Sequence, residues 1–504
     1  MPNSEDRPSW FSKDRLAPLV YLANNWISLI GVVVVTTATV FWLFLLPFSL
    51  RGEITHPYIG ILIFLLLPGS FILGLVLIPA GIMYRRRRDR AKGQTSTTFP
   101  PLNLQNTDFR RLLMFIGVTT FLNLVIASQL AYSAVNYMDS TTFCGLTCHR
   151  VMIPEYTSHE NSSHARVDCA ACHIGPGASW FVRSKLSGTS QVFYTLFNTY
   201  PRPIPVPVAN LRPARETCEQ CHWPQRFTGD KVVVHTTYAP DEQNSATTTV
   251  LLMKVGGRAW NGTVGIHGAH LADNTSIEYI ATDTSRQTIP QVIYTGADGK
   301  KTIYNETDTK VSPEQLAKGE HRTMDCVDCH NRPTHTFQLP GRAVDDAMST
   351  GDISPNLPYA KKQALAVLMQ VYPDRDTAKR RIADQLTAYY RQSYPQIYAQ
   401  DRKRVANAIA AVQNIYGRNV FPEMKVTWGT YLNNLGHTDS AGCFRCHDGN
   451  HTSAGGKTIP NDCGTCHELK AVDEKNPAIL TDLGIVPAEA KADPGPGAPT
   501  GSGQ

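Results

Sequence analysis

The 504-residue chain carries 48 Lys and Arg against 42 Asp and Glu, a formal net charge of +6 with 18% charged residues. Its 42% hydrophobic content excludes a disordered or collagen-like polymer, and its length leaves room for more than one domain. The slight basic excess is local, so no nucleic-acid partner is expected.

Three apolar runs open the chain, at residues 26–50, 58–84 and 112–134, and none contains Asp, Glu, Lys or Arg. At about 1.5 Å rise per residue, each can cross a hydrocarbon core of about 30 Å, so three transmembrane helices in a lipid bilayer are expected. Between the second and third runs stand Arg85, Arg86, Arg87, Arg88, Arg90, Lys92, Arg110 and Arg111. Basic residues near helix ends stay on the cytoplasmic side. This loop and the N-terminus are therefore expected on the cytoplasmic side of the membrane, with the loop 51–57 and everything after Ala134 on the outer side. No small-residue cleavage site follows the first run, which reads as an uncleaved anchor.

Beyond the third run, all twelve cysteines fall in six short runs that end in His. They are Cys144, Cys148 and His149; Cys169, Cys172 and His173; Cys218, Cys221 and His222; Cys326, Cys329 and His330; Cys443, Cys446 and His447; Cys463, Cys466 and His467. Five read C-x-x-C-H, and the first has one extra residue between its cysteines. This is the attachment signature of c-type haem. Two thiols a turn apart add across the two vinyl groups of the porphyrin, and the adjacent imidazole is aimed at the iron. A zinc ribbon needs four converging ligands but no His after each second Cys, and disulfides need no His at all. Six haem c groups are expected.

Between the third and fourth motifs, an insertion at about 231–305 is rich in Val, Thr, Ile and Tyr. Segments 231–235 and 248–252 read as strands, and residues 291–304 as a hairpin turning at Gly296 to Gly299. From Tyr359 to about Ile415 apolar positions recur at helical spacing, so helices link the first four motifs to the last two. After Asp473 the composition shifts to Ala, Pro, Gly and Asp, as in a disordered tail.

Sixteen histidines less six in motifs leave ten. His164, His321 and His437 stand five or six residues before a motif, while His335 and His451 follow one closely. A His so near its own motif more readily reaches the iron of a neighbouring haem. These five are the candidate distal ligands. His270 or His267 could supply one more from the insertion, and His159 and His235 are weaker candidates. The strings around His164 and His321 resemble each other, which suggests a duplicated two-haem unit.

The stretch from Cys144 to His335 resembles the NapC/NirT group of membrane-anchored multihaem quinol dehydrogenases, in particular its longer inner-membrane cytochromes of the ImcH type. The likeness lies in Cys148-His-Arg-Val-Met152, in the run Ser162 to Cys169, in Lys185, and in the residues around Cys221 and His330. The resemblance implies that Met152 ligates the first haem, and that Lys185 and an acid serve a quinol, such as menaquinol, beside it. The acid position falls at about Gln191, which is neutral. Asp139, Glu53 and His56 are the outward-facing groups that could take its place, with Asp139 favoured.

The expected fold is a membrane-anchored multihaem cytochrome with three transmembrane helices and a mainly α and irregular, haem-packed periplasmic domain bearing a β-rich insertion. Its parts are a membrane anchor at 1–135, a NapC/NirT-like tetrahaem domain at 136–340, a helical linker with a C-terminal dihaem module at 341–470, and a disordered tail at 471–504. Cys144 lies ten residues past the third run. If that helix continues, the first haem sits within about 15 Å of the bilayer. The expected activity is quinol oxidation from the membrane pool, with electrons passed to periplasmic or outer-membrane cytochromes. The alternative is a non-catalytic relay subunit of a larger complex. A terminal reductase would need an open iron, which the surplus of histidines opposes.

Overall fold

The computed structural model describes residues 25–28, 30–32, 34–35, 38–39, 42, 65–93, 105, 128–129, 131–133, 135–147, 149–208, 211–257, 264–308 and 311–485. The chain divides into two compact units, Met1–Met152 and Ile153–Gln504.

In the first unit, helix α1 (Leu67–Ala91) is long and apolar enough to cross a membrane. It runs past the expected end at 84 because the arginines that follow are good helix formers, and Arg88 and Arg90 complement the negative end of its dipole. Residues of the first apolar run pack on it through small side chains. A Cβ on Gly31 would lie 2.9 Å from the Gly74 carbonyl oxygen, and one on Gly74 would lie 2.8 Å from that of Gly31. Fully buried Ser28 donates from Oγ to the Ile78 carbonyl at 2.9 Å. Such close approach, with a hydroxyl satisfied by backbone, is how helices associate where no water drives them together. Glu53, His56 and most of the third run lie outside the described residues.

The second unit begins within α2 (His149–Glu160), followed by α3 (Cys169–His173), α4 (Ala178–Leu196) and α5 (Ala214–Cys218). The insertion supplies β1 (Lys231–Tyr238), β2 (Ala246–Met253), the short helix α6 (Ile266–Leu271), β3 (Ser276–Ala281), β4 (Gln291–Thr295) and β5 (Lys301–Glu306). Between β4 and β5, Gly299 takes a φ of +73°, the left-handed turn conformation that glycine adopts without strain. Next come β6 (Glu320–Thr323) and α7 (Cys326–Cys329).

Four helices then form an apolar block: α8 (Pro340–Ser349), α9 (Ala360–Leu368), α10 (Arg375–Ser393) and α11 (Arg402–Asn419). Asp374 caps α10 by accepting from the Thr377 amide at 2.6 Å. Leu368, Ile382, Leu386, Val405 and Val412 share this core.

The last strands correct the sequence reading. β7 (His451–Ser453) and β8 (His467–Glu474), separated by α12 (Cys463–Cys466), do not form a separate module. β7 extends the five-stranded sheet β6-β3-β4-β5-β7, and β8 completes the three-stranded sheet β1-β2-β8. The segment after 471 is ordered through α13 (Ala478–Asp482), because Ala471 and Leu480 bury against Val250. Residues 486–504 lie outside the described residues.

Candidate functional site

Local sequence makes the third, fourth and fifth motifs single helical turns. The His222 amide donates to the Cys218 carbonyl at 2.8 Å, His330 to Cys326 at 2.8 Å, and His447 to Cys443 at 3.0 Å. The ring therefore starts one turn past the first thiol, on the same side. No disulfide joins the described motif cysteines. Among the described residues, no three His, Cys, Asp or Glu side chains converge on a point that would hold a bare metal ion.

The motif histidines of the second unit instead face one other ring each. His173 lies 6.2 Å from His335, His222 6.0 Å from His164, His330 6.2 Å from His267, His447 5.8 Å from His270, and His467 6.2 Å from His437. Two metal–nitrogen bonds of about 2 Å, plus the ring radius at either end, set coaxial imidazole centroids about 6 Å apart. The spacing thus fits a flat macrocycle with its metal midway between each pair.

Proton chemistry fits as well. His335 donates from Nδ1 to the Glu155 carbonyl at 3.0 Å, His270 to Ile266 at 2.8 Å, His447 to Pro460 at 2.5 Å, and His267 to Val255. A proton fixed on Nδ1 leaves Nε2 with its lone pair for a metal. Burial favours the neutral ring, lowering His173, His270 and His330 and taking His335 down to about 4.

From the second motif to the sixth, the attachment points are neighbours in chain order. Burial raises the Cys172 thiol and nearby Cys218 adds to the effect. Cys326 shares a hydrogen bond with Cys218, which is thereby lowered. Burial and Cys443 raise Cys329, and burial and Cys443 raise Cys466. The Ala214 amide donates to Asp325 at 2.7 Å, joining the third motif to the fourth. Motif six is pinned by the Lys254 amide, which donates to the Cys466 carbonyl at 2.9 Å.

Other candidates stand elsewhere. His451 is 1% exposed with both nitrogens engaged, Nδ1 on Asp448 at 2.9 Å and Nε2 on the Ile289 carbonyl at 2.7 Å, so in this arrangement neither nitrogen faces a motif ring. His321 is exposed on β6, opposite Ile280 of β3. His159 lies 6.5 Å from His335, but its Nε2 donates to the Val167 carbonyl at 2.9 Å. Arg342 donates towards His235 at 3.4 Å. Met152 follows His149 by three residues on α2.

Lys185 sits on α4 with its Nζ 4.8 Å from the Phe181 ring centroid. Gln191 is exposed on the same helix and donates to Ser187 Oγ at 3.4 Å. Six residues is not a whole number of turns, so Gln191 and Lys185 do not share a face. Asp139 ends a helical stretch in the first unit and is half-buried.

Residues 107–203 match the N-terminal region of the NapC/NirT cytochrome c family. The cytochrome c-type protein ImcH of Geobacter sulfurreducens is 41% identical over 447 residues, 88% of this chain and 88% of that protein. The chain belongs to the NapC/NirT cytochromes c and is ImcH-like. No solved structure matches it. As a NapC/NirT cytochrome it is a membrane-anchored electron-transfer protein with covalently held haem c.

In this NapC/NirT cytochrome, two residues inside the motifs escaped the sequence reading. Asp328, between Cys326 and Cys329, is 4% exposed and accepts from Tyr279 Oη at 2.6 Å and Arg322 Nε at 3.2 Å. Arg445, between Cys443 and Cys446, is 9% exposed and donates to the carbonyls of Asp328, Arg286 and Gly442. The fifth motif thus holds the backbone of the fourth. Charged residues at freely varying motif positions carry no sequence signal for this.

Proposed function

We propose that this cytochrome oxidises a membrane quinol, of the menaquinol type, and delivers electrons through six haem c groups to periplasmic or outer-membrane cytochromes. The observation that supports the reading is the row of five histidine ring pairs at about 6 Å, strung along the second to sixth attachment motifs, which neighbour one another in chain order. Each haem supplies a one-electron centre when bound. His149, His173, His222, His330, His447 and His467 serve as proximal ligands. His335, His164 and His437 serve as distal ligands to the second, third and sixth groups, and Met152 to the first. The surplus of neutral imidazoles favours six-coordinate centres and opposes a terminal reductase.

A quinol releases two electrons and two protons, so residues at its site must orient the ring and accept protons. Lys185, a cation on α4 beside the Phe181 ring, suits the first role by stabilising a developing quinolate. Asp139 suits the second; Gln191 has no basic group. The three apolar runs act as a multi-pass anchor with the N-terminus cytoplasmic and the haem-bearing part periplasmic. Lys185→Gln should slow reduction by a menaquinol analogue about 10-fold or more, while dithionite still reduces every haem. Equal loss with both donors would overturn the assignment. Purified wild-type protein that no quinol reduces would favour the relay-subunit reading.

A further inference from the structure

Helix α6 is only six residues long, yet both of its histidines face motif rings. His267 and His270 are three residues apart, about 4.5 Å along a helix axis, so one rigid turn presents both. His267 faces His330 of the fourth motif with ring planes 4° apart, and His270 faces His447 of the fifth with planes at 58°. Both rings are oriented through Nδ1 by backbone carbonyls, and His267 also packs edge-on against Phe227 at 4.9 Å.

The seat of this helix is a set of glycines. Gly268 lies so close to Gly257 that a Cβ would fall 1.8 Å from the Gly257 carbonyl oxygen, and a Cβ on Gly265 would fall 2.4 Å from that of Gly256. The Ile266 amide donates to Lys254 at 2.7 Å, and Arg215 from the third-motif helix donates to the Leu271 carbonyl at 3.1 Å. No side chain beyond hydrogen fits at Gly268 without moving the helix.

We propose that α6 is a two-ligand clamp, with His267 the distal ligand of the haem at Cys326 and Cys329 and His270 that of the haem at Cys443 and Cys446. The insertion thereby joins the first four redox centres to the last two. This rests on reading those motifs as haem attachment sites. The two centres share one mechanical support, so a displacement of α6 alters both together.

The ring angles give each centre a signature. Near-parallel imidazole planes raise the same iron dπ orbital and split the pair strongly, whereas crossed planes raise both. The fourth haem should therefore give the most rhombic low-spin EPR signal. In the full-length protein, haem content by pyridine haemochrome and mass tests the attachment reading separately. With six haems retained, His267→Gly should turn one low-spin centre high-spin and remove the most rhombic signal. His270→Gly should convert a different one. Imidazole added to each variant should restore the low-spin state, which a merely unfolded site would not do. Gly268→Ala, which touches no ring, should perturb both signals at once. Six haems with six unchanged low-spin signals in both histidine variants would overturn the clamp, as would high-spin centres that imidazole fails to restore. A wild-type content below six because motif four or five carries no haem would instead overturn the attachment reading, and the clamp with it.

Discussion

Between residues 340 and 426 the helices close on Val344, Leu357, Leu368 and Ile382, each at 0% exposure. Between 153 and 213, no described Val, Leu, Ile, Phe, Met, Tyr or Trp is fully buried, although most of that segment is also helical. There Leu186 is 69% and Phe197 71% exposed, while the tightly enclosed groups include Ser158 and His159. The first region is stabilised by its own apolar contacts. The second encloses paired imidazoles instead of an apolar centre, so haem attachment is expected to contribute to its folding. One chain thus uses two different means of earning a fixed shape.

The largest effect follows from removing the cofactor. Full-length protein made without haem attachment should be cut within 153–213 roughly 10-fold or more faster than the complete protein, while fragments spanning 340–426 persist. Equal cleavage of that segment in both forms would erase the contrast. Ile382→Ala probes the other side. Deleting a fully buried side chain should cost about 2–5 kcal/mol in denaturant unfolding followed by circular dichroism, with the haem absorbance of the folded protein unchanged. A cost under about 1 kcal/mol would show that α10 does not depend on its core.

The smallest effect lies at the sheet edge. Glu320 accepts from Arg286 Nε at 2.8 Å and Nη2 at 2.7 Å, and this pairing holds its carboxyl below the usual range. A depressed folded pKa contributes stability above the unfolded value of about 4.3, and that stability is lost as pH falls through the folded value. Glu320→Gln should therefore lower stability at pH 7 by at most about 1 kcal/mol, since the pair is partly exposed. The difference should vanish in more acid solution. A melting-temperature gap that persists at low pH would assign the effect to packing instead.

The attachment motifs are legible in the sequence because covalent chemistry fixes both residue type and spacing. The hairpin at β4 and β5 is legible because its turn and alternation are local. The distal rings are less so. Nearness to a motif marks His164, His335 and His437, but it equally marks His451, whose nitrogens are taken by Asp448 and Ile289, and His321, which a strand turns outward. His267 depends on glycine contacts between segments that no periodicity reveals. β8 was hidden by composition: Ala471 and Leu480 begin a Pro- and Ala-rich tail in sequence but meet Val250 in space.

The strand pairing also imposes an order in time. Asp473 donates from its amide to Thr249 Oγ1 at 3.2 Å across 224 residues of chain. Synthesis delivers β1 and β2 long before β8, so the outer edge of β2 waits uncovered while the later motifs are still being made. An open edge is a template for any passing strand. The sheet is therefore sealed only once the sixth motif has emerged, and a product that stops after the fifth motif carries an unsealed β2 edge however well its earlier motifs are formed.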